Sequence, residues 1–168
     1  FTSSREVNAM LDMVKQETKR IESRFLEPAC GDGNFLAEVL SGKLAVAKKQ
    51  YGRNCMEYEK YSILAISSIY GVDIMEDNAK ECRERLYNIW NEAYTKQCKS
   101  ETTDECREAA KYIISHNVLY GDALTMLRND GDSIVFAQWD LVSENKVKRR
   151  DYRLDQLMKG HDLQMDLE

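Results

Sequence analysis

The sequence predicts an α/β domain in which parallel strands alternate with crossover helices. Three observations carry this expectation. Short apolar runs of strand length separate longer stretches whose apolar residues recur with helical period. A glycine turn, Ala29-Cys30-Gly31-Asp32-Gly33, joins the first run to a helix. The three successive runs end in acids, Glu27, Asp73 and Asp122.

The elements follow in order. Residues 4–20 read as an amphipathic helix, with Val7, Met10, Leu11 and Val14 at i, i+3, i+4 and i+7. Arg24-Phe25-Leu26 is a short strand, stopped by Glu27-Pro28. Asn34 onward is helical (Phe35, Leu36, Val39, Leu40) until Ser41-Gly42 interrupts it. Residues 43–68 form a helical insertion broken near Gly52. Ile69 to Asp73 is the second strand. A long helix over 76–97 carries Ala79, Cys82, Leu86, Ile89, Trp90 and Ala93 as one stripe. After the polar loop 99–103 a further helix reaches Ser115. Asn117 to Asp122 is the third strand, Ala123 to Leu127 a helical turn, and Ser133 to Leu141 a fourth strand. The remainder is rich in Lys and Arg, then weakly helical from Asp151 to Met158.

The 168 residues are enough for one domain, and at 43% hydrophobic and 32% charged they can bury a core. A net charge of −5 excludes a wholly basic nucleic-acid-coating protein but not a local basic patch. No apolar run approaches the ~18 residues of a membrane helix, and no signal peptide is read. Because the chain opens on Phe1, a preceding N-terminal piece is expected, and the terminal Leu167-Glu168 reads as a vector-derived scar. The five cysteines, Cys30, Cys55, Cys82, Cys98 and Cys106, include no CxxC pair. They support neither a zinc site nor a disulfide framework, and fit a reduced, cytoplasmic compartment. Cys98 and Cys106 lie in or beside a polar loop and suggest no site. His116 and His161 are isolated.

Sheets of this kind bind ligands outside the carboxyl ends of their strands, where strand order reverses. Gly31 and Gly33 let backbone approach a ligand at a helix N-terminus. A dinucleotide fingerprint would place a third glycine where Leu36 stands. Glu27 before the turn repels phosphate and attracts a cation. S-adenosylmethionine suits these residues better than a nicotinamide dinucleotide, because its ammonium and sulfonium are cationic. Its ribose hydroxyls suit Asp73, and its adenine amino group suits Asp122. Acids at strand ends also cap the next helix, a second reading for Asp73 before Ile74-Met75-Glu76 and for Asp122 before Ala123–Leu127.

Phe25-Leu26-Glu27-Pro28-Ala29-Cys30-Gly31-Asp32-Gly33-Asn34-Phe35-Leu36 resembles the first motif of N6-adenine DNA methyltransferases of restriction-modification systems. Ile69 to Ile74 with Asn78-Ala79 is similar to their second motif, and Leu119 to Leu124 to their third. Phe1-Thr2-Ser3 is similar to the end of their leading motif. The similarity runs from residue 1 to about 127. It implies a class I S-adenosylmethionine-dependent methyltransferase fold, a doubly wound, mostly parallel Rossmann-like sheet lacking its last strands. The cofactor domain would span 1–141, and 142–168 would be a basic, then polar, C-terminal extension.

Residue by residue, the resemblance implies that Thr2 contacts the methionine end. Glu27, Ala29, Gly31 and Gly33 would line the loop around the amino group and sulfonium. Asp73 would hold the ribose, with Ile74 against the adenine face, and Asp122 the adenine amino group, with Ala123 beside it. The family's catalytic Asn-Pro-Pro-Tyr type of motif is absent, since Pro28 is the single proline. Gln138 and Trp139 on the fourth strand offer an amide and an aromatic for the flipped base, although Trp139 also reads as a core or interface aromatic. Lys146, Lys148, Arg149 and Arg150 form a basic cluster that suits a DNA backbone, or a solvated surface turn.

The function expected is methyl transfer from S-adenosylmethionine to adenine in DNA, with DNA and a restriction-modification subunit as partners. A catalytically inactive S-adenosylmethionine- or DNA-binding subunit, and a methyltransferase acting on a small molecule or protein, are the alternatives.

Overall fold

The computed structural model describes residues 18–143 and 146–155. Their elements are β1 (Phe25–Glu27), α1 (Asn34–Tyr51), α2 (Cys55–Ser67), β2 (Ile69–Asp73), α3 (Glu76–Cys98), a 3₁₀ turn (Lys99–Glu101) and α4 (Asp104–Asn117). β3 (Val118–Asp122), β4 (Leu127–Arg128), β5 (Val135–Ser143) and β6 (Lys146–Arg153) follow. The predicted helix over 4–20 lies almost wholly outside the described residues, as does Thr2. The weakly helical segment from Asp151 lies partly outside them.

Sequence chemistry explains most helix ends. Asn54 caps α2, its side-chain oxygen accepting from the Glu57 N–H at 3.2 Å. Thr103 caps α4, accepting from the Cys106 N–H at 3.1 Å. Contrary to expectation, α1 runs through Ser41-Gly42 and stops at Gly52, whose N–H bonds the Lys48 carbonyl at 2.9 Å. Gly42 is helical because of packing: a Cβ there would lie 2.5 Å from Thr18 Cγ2. The long helix α3 buries Ala79, Cys82, Leu86, Trp90, Tyr94 and Cys98 at i, i+3/i+4 spacing. The Trp90 indole N–H donates to Ser62 Oγ at 3.1 Å, and its ring stacks on Tyr94 with centroids 4.8 Å apart.

The fold is mixed α/β. β1, β2 and β3 lie side by side and parallel, and β4 closes the far edge antiparallel to β3. Strand alternation sorts the side chains. Phe25, Ile69, Val118 and Tyr120 face the four helices, with which they form the larger core. Leu26, Tyr70, Val72 and Leu119 face the other way, onto Ile134, Phe136 and Leu154. This second face departs from a doubly wound sheet, whose two faces would both carry helices. Here, among the described residues, helices cover one face and the hairpin segment covers the other.

The predicted strand over 133–141 does form, as β5, but it does not join the parallel sheet. It pairs antiparallel with β6, from Val135↔Arg153 to Ser143↔Lys146. The Lys/Arg-rich stretch is therefore a strand and not a surface turn. The predicted helical turn at 123–127 is an irregular turn leading into β4. Asn117, buried at the amino end of β3, ties these parts together. Its amide donates to the Ser67 and Ile69 carbonyls at 3.2 and 3.1 Å, and its oxygen accepts from the Trp139 indole at 2.8 Å.

Lys43 is fully buried on α1. Its ammonium donates to the Ile21 carbonyl at 3.1 Å, to Ser68 Oγ at 2.6 Å and to the Ser23 carbonyl. A charge in a core is tolerated only with such a set of oxygens around it. The contacts fasten the segment before β1 to the turn before β2, and so fix where β1 begins.

Candidate cofactor site

The three acids meet at one edge. Glu27 pairs with Gly71 and Asp73 with Tyr120, while Asp122 lies two residues beyond Tyr120. All three occupy the same pleat phase, on the helix-covered side. Each acid stands two residues further out than its neighbour, so adjacent ones are about 8 Å apart and the outer pair about 16 Å. Each carboxylate accepts the N–H two residues ahead: Ala29 at 3.1 Å, Met75 at 2.8 Å and Leu124 at 2.9 Å. These bonds shape each acid's own turn and are not helix caps: α3 is capped at Met75 without a side-chain bond, and Asp122 leads into a turn instead of a helix.

The second oxygens differ. Asp73 Oδ2 accepts from the Gly31 N–H at 2.9 Å, and the Asn78 amide adds a bond to Oδ1 at 3.2 Å. A carboxylate has about four acceptor positions, so buried Asp73 keeps room for one more donor. Glu27 Oε2 and Asp122 Oδ2 take no hydrogen bond among the described residues. Beside these acids stand exposed apolar side chains: Ile74 at 67%, Met75 at 56% and Leu124 at 93%. Ala123 is half-buried against the second core. The edge therefore presents carboxylate acceptors beside uncovered apolar surface.

The glycine turn is built for close approach. Gly31 has φ +56 and Gly33 φ +94, both in the region that favours glycine. A Cβ on Gly31 would meet nothing within 4 Å, so this side of the turn is open. A Cβ on Gly33 would lie 2.9 Å from Cys82 Sγ, so the turn rests directly on α3. Pro28 and Ala29 are exposed. The Cys30 N–H bonds the Val72 carbonyl at 2.9 Å, and its thiol shares a hydrogen bond with Cys82. The Cys82 thiol beside it, then burial, pushes the Cys30 thiol far above its ordinary range. Among the described residues, no group of three or more His, Cys, Asp or Glu side chains is placed to hold a metal ion.

Gln138 and Trp139 are not at this edge. β5 starts beside β4, where the Ile134 N–H bonds the Met126 carbonyl, and runs back across the second face. It reaches Trp139 at Asn117, the opposite end of β3 from Asp122. That is roughly 16 Å along the strand. The Trp139 ring is 9% exposed and its N–H is already bonded, which makes it the core aromatic of the two readings. Gln138 donates to Asp140 at 3.3 Å on its own strand. The structure does not bring Gln138 and Trp139 to the row of acids: Trp139 packs into the helix-side core beside Asn117 and Tyr112, while Phe136 faces the second core.

The basic cluster is divided by strand alternation. Arg149 forks onto Asp151 at 2.6 and 3.1 Å, bonds Tyr112 Oη at 2.8 Å and lies over the Trp139 ring at 5.8 Å. Arg150 reaches Asp140 at 3.2 Å from the other face. Lys148 is exposed, and Lys146 opens β6. A phosphate backbone would have to displace carboxylates from both arginines, which weakens the patch as a counterion-releasing surface.

Sequence reasoning missed Arg85 on α3. It donates to Asn34 Oδ1 at 2.5 Å and lies 3.4 Å from Asp32 Oδ2, touching the turn on its helix side. No local signal marks it, since 51 and 53 residues separate the partners.

No protein-family model, no curated protein and no solved structure matches this chain. Among the described residues no helix is long and apolar enough to cross a membrane.

Proposed function

We propose that this chain binds S-adenosylmethionine as the cofactor-binding part of a class I methyltransferase of the adenine-N6 DNA type. The observation that supports it best is the staggered row of Glu27, Asp73 and Asp122 around a glycine turn coupled to Asp73. Acceptors in one pleat phase suit a long ligand that is cationic at one end and carries hydroxyl and amino donors along its length. The carboxylate of Glu27 faces the ammonium and sulfonium end. Asp73 has one acceptor position for a ribose hydroxyl. Asp122 takes the adenine amino group, with exposed Ile74 against the ring. A phosphate-bearing dinucleotide would meet three carboxylates and no compensating glycine.

In this reading the chain supplies orientation of the methyl donor, the larger part of such a transfer's barrier reduction. The groups that hold the target adenine come from residues other than Gln138 and Trp139. A second reading, a binding subunit that transfers nothing itself, is favoured by the burial of Trp139 away from the site. Isothermal titration of S-adenosylmethionine tests the cofactor reading. Saturable binding that weakens at least tenfold in Asp122→Ala and Asp73→Ala is expected; a folded wild-type protein that shows no binding would falsify it. Transfer of labelled methyl groups to DNA then separates the two readings.

A further inference from the structure

We infer that Arg85 is the positioning residue of the glycine turn and sets the turn's charge. This goes beyond the resemblance, whose motifs contain no residue from this part of the chain. The turn has three anchors, all from β2 and α3. Asp73 holds the Gly31 N–H at 2.9 Å. Cys82 lies where a Cβ on Gly33 would collide, at 2.9 Å. Arg85, one helical turn after Cys82 on the same face, bridges Asn34 and Asp32.

The first two anchors fix Gly31 and Gly33 but leave the residues between and after them untied. Asp32 lies between the glycines, and α1 opens at Asn34 with no side-chain cap on its first turn. A single guanidinium joins both, because its planar fork offers donors in two directions. A lysine offers its donors from a single atom and lacks the separate forks that reach Asn34 and Asp32 here.

Arg85 also changes what the turn attracts. Glu27, Asp32 and Asp73 would place three negative charges around it, and Arg85 cancels one. S-adenosylmethionine carries a sulfonium, whereas its demethylated thioether product does not. With Arg85 in place the turn discriminates less between the two. Removing its charge is expected to raise the preference for the sulfonium form about threefold at low salt, for a separation near 9 Å and a dielectric near that of a wet surface.

The ligand half of this inference rests on the cofactor reading, and the experiment keeps the two apart. Amide hydrogen exchange of Gly33 and Ala37, whose N–H groups bond the Cys30 and Gly33 carbonyls at 2.9 and 2.8 Å, is measured in ligand-free wild type, Arg85→Met and Arg85→Lys. At least tenfold faster exchange at these amides in both variants, with the rest of α3 unchanged, is expected. Titrations then compare S-adenosylmethionine with the thioether product. In Arg85→Met both affinities fall and their ratio moves about threefold toward the sulfonium form, whereas Arg85→Lys keeps the wild-type ratio. A purely structural role would move both affinities without moving the ratio. Wild-type exchange rates in Arg85→Met would overturn the positioning role. If the wild type binds neither ligand, the cofactor reading fails, and exchange alone decides whether Arg85 positions the turn. Met and Lys both favour helix and Arg85 is partly exposed, so the variants fold.

Discussion

Gly33→Ala isolates the close approach on which the turn rests. The residue has φ +94, and the new Cβ would lie 2.9 Å from Cys82 Sγ and 3.3 Å from Cys82 Cα. Forcing an L-residue into a left-handed conformation costs about 1–2 kcal/mol. Overpacking against a fully buried side chain adds about 1–3 kcal/mol. Cys82 cannot swing aside, because Cys30 and the core surround it. Gly33→Ala should therefore destabilise by about 2–5 kcal/mol. Gly31→Ala is the internal control: φ is +56 and a Cβ meets nothing within 4 Å, so only the backbone cost of about 1–2 kcal/mol applies. Urea unfolding followed by circular dichroism reads both, with unchanged slopes confirming that stability alone moved. Cys82→Ala in the Gly33→Ala background removes the sulfur clash and leaves only the milder crowding against the α3 backbone. The double variant should be less destabilised than the sum of the singles by about 1 kcal/mol or more. Equal losses for the two glycine variants, or strict additivity with Cys82→Ala, would refute the argument.

Other perturbations test the scaffold around the site. Lys43→Met leaves the Ile21 and Ser23 carbonyls without their ammonium and should destabilise by about 2–4 kcal/mol in the same assay; a neutral result would mean that water replaces it. Trp139→Phe keeps most of the apolar burial but strands Asn117 Oδ1, and is expected to lose about 1–3 kcal/mol in urea while leaving S-adenosylmethionine affinity within twofold. A large loss of binding would return Trp139 to the site. At Asp140 burial raises the carboxyl's pKa, but hydrogen bonds from Arg150 and Gln138 and the Arg150 charge bring it below the ordinary value of 3.8. A depressed folded pKa stabilises above the unfolded value and loses that stabilisation as pH falls through the folded one. The hairpin should thus loosen below about pH 4, read from β5–β6 amide shifts, and Arg150→Ala should shrink this step, Gln138 and Arg24 still favouring the carboxylate, while its hairpin stays formed at pH 7.

Much of the frame was legible because it is local. Asp73 to Glu76 reads as strand end and helix start, and α3 shows its stripe of Ala79, Cys82, Leu86 and Trp90 without reference to anything distant. Ser41-Gly42 misled for the complementary reason. Glycine is a poor helix former on its own, and only Thr18 packed against it explains its place inside α1. The same limit hid Arg85, whose acceptors lie on another element.

The sequence by itself determined the three strands, their terminal acids and the glycine turn, because these depend on neighbours a few residues away and on backbone conformations that few residues adopt. Tertiary structure alone decided that Glu27, Asp73 and Asp122 share one pleat phase, since register follows from how parallel strands dock. It also decided where the last long apolar strand went. Ile134, Phe136 and Trp139 would suit a central strand equally well. The second face of β1–β3, with Leu26, Tyr70, Val72 and Leu119 needing cover, took Ile134, Phe136 and Leu154 instead, while Trp139 packs on the helix side. Removing that apolar area from water outweighs one more pairing at a sheet edge, because backbone groups at an exposed edge can still bond to water and exposed apolar side chains cannot.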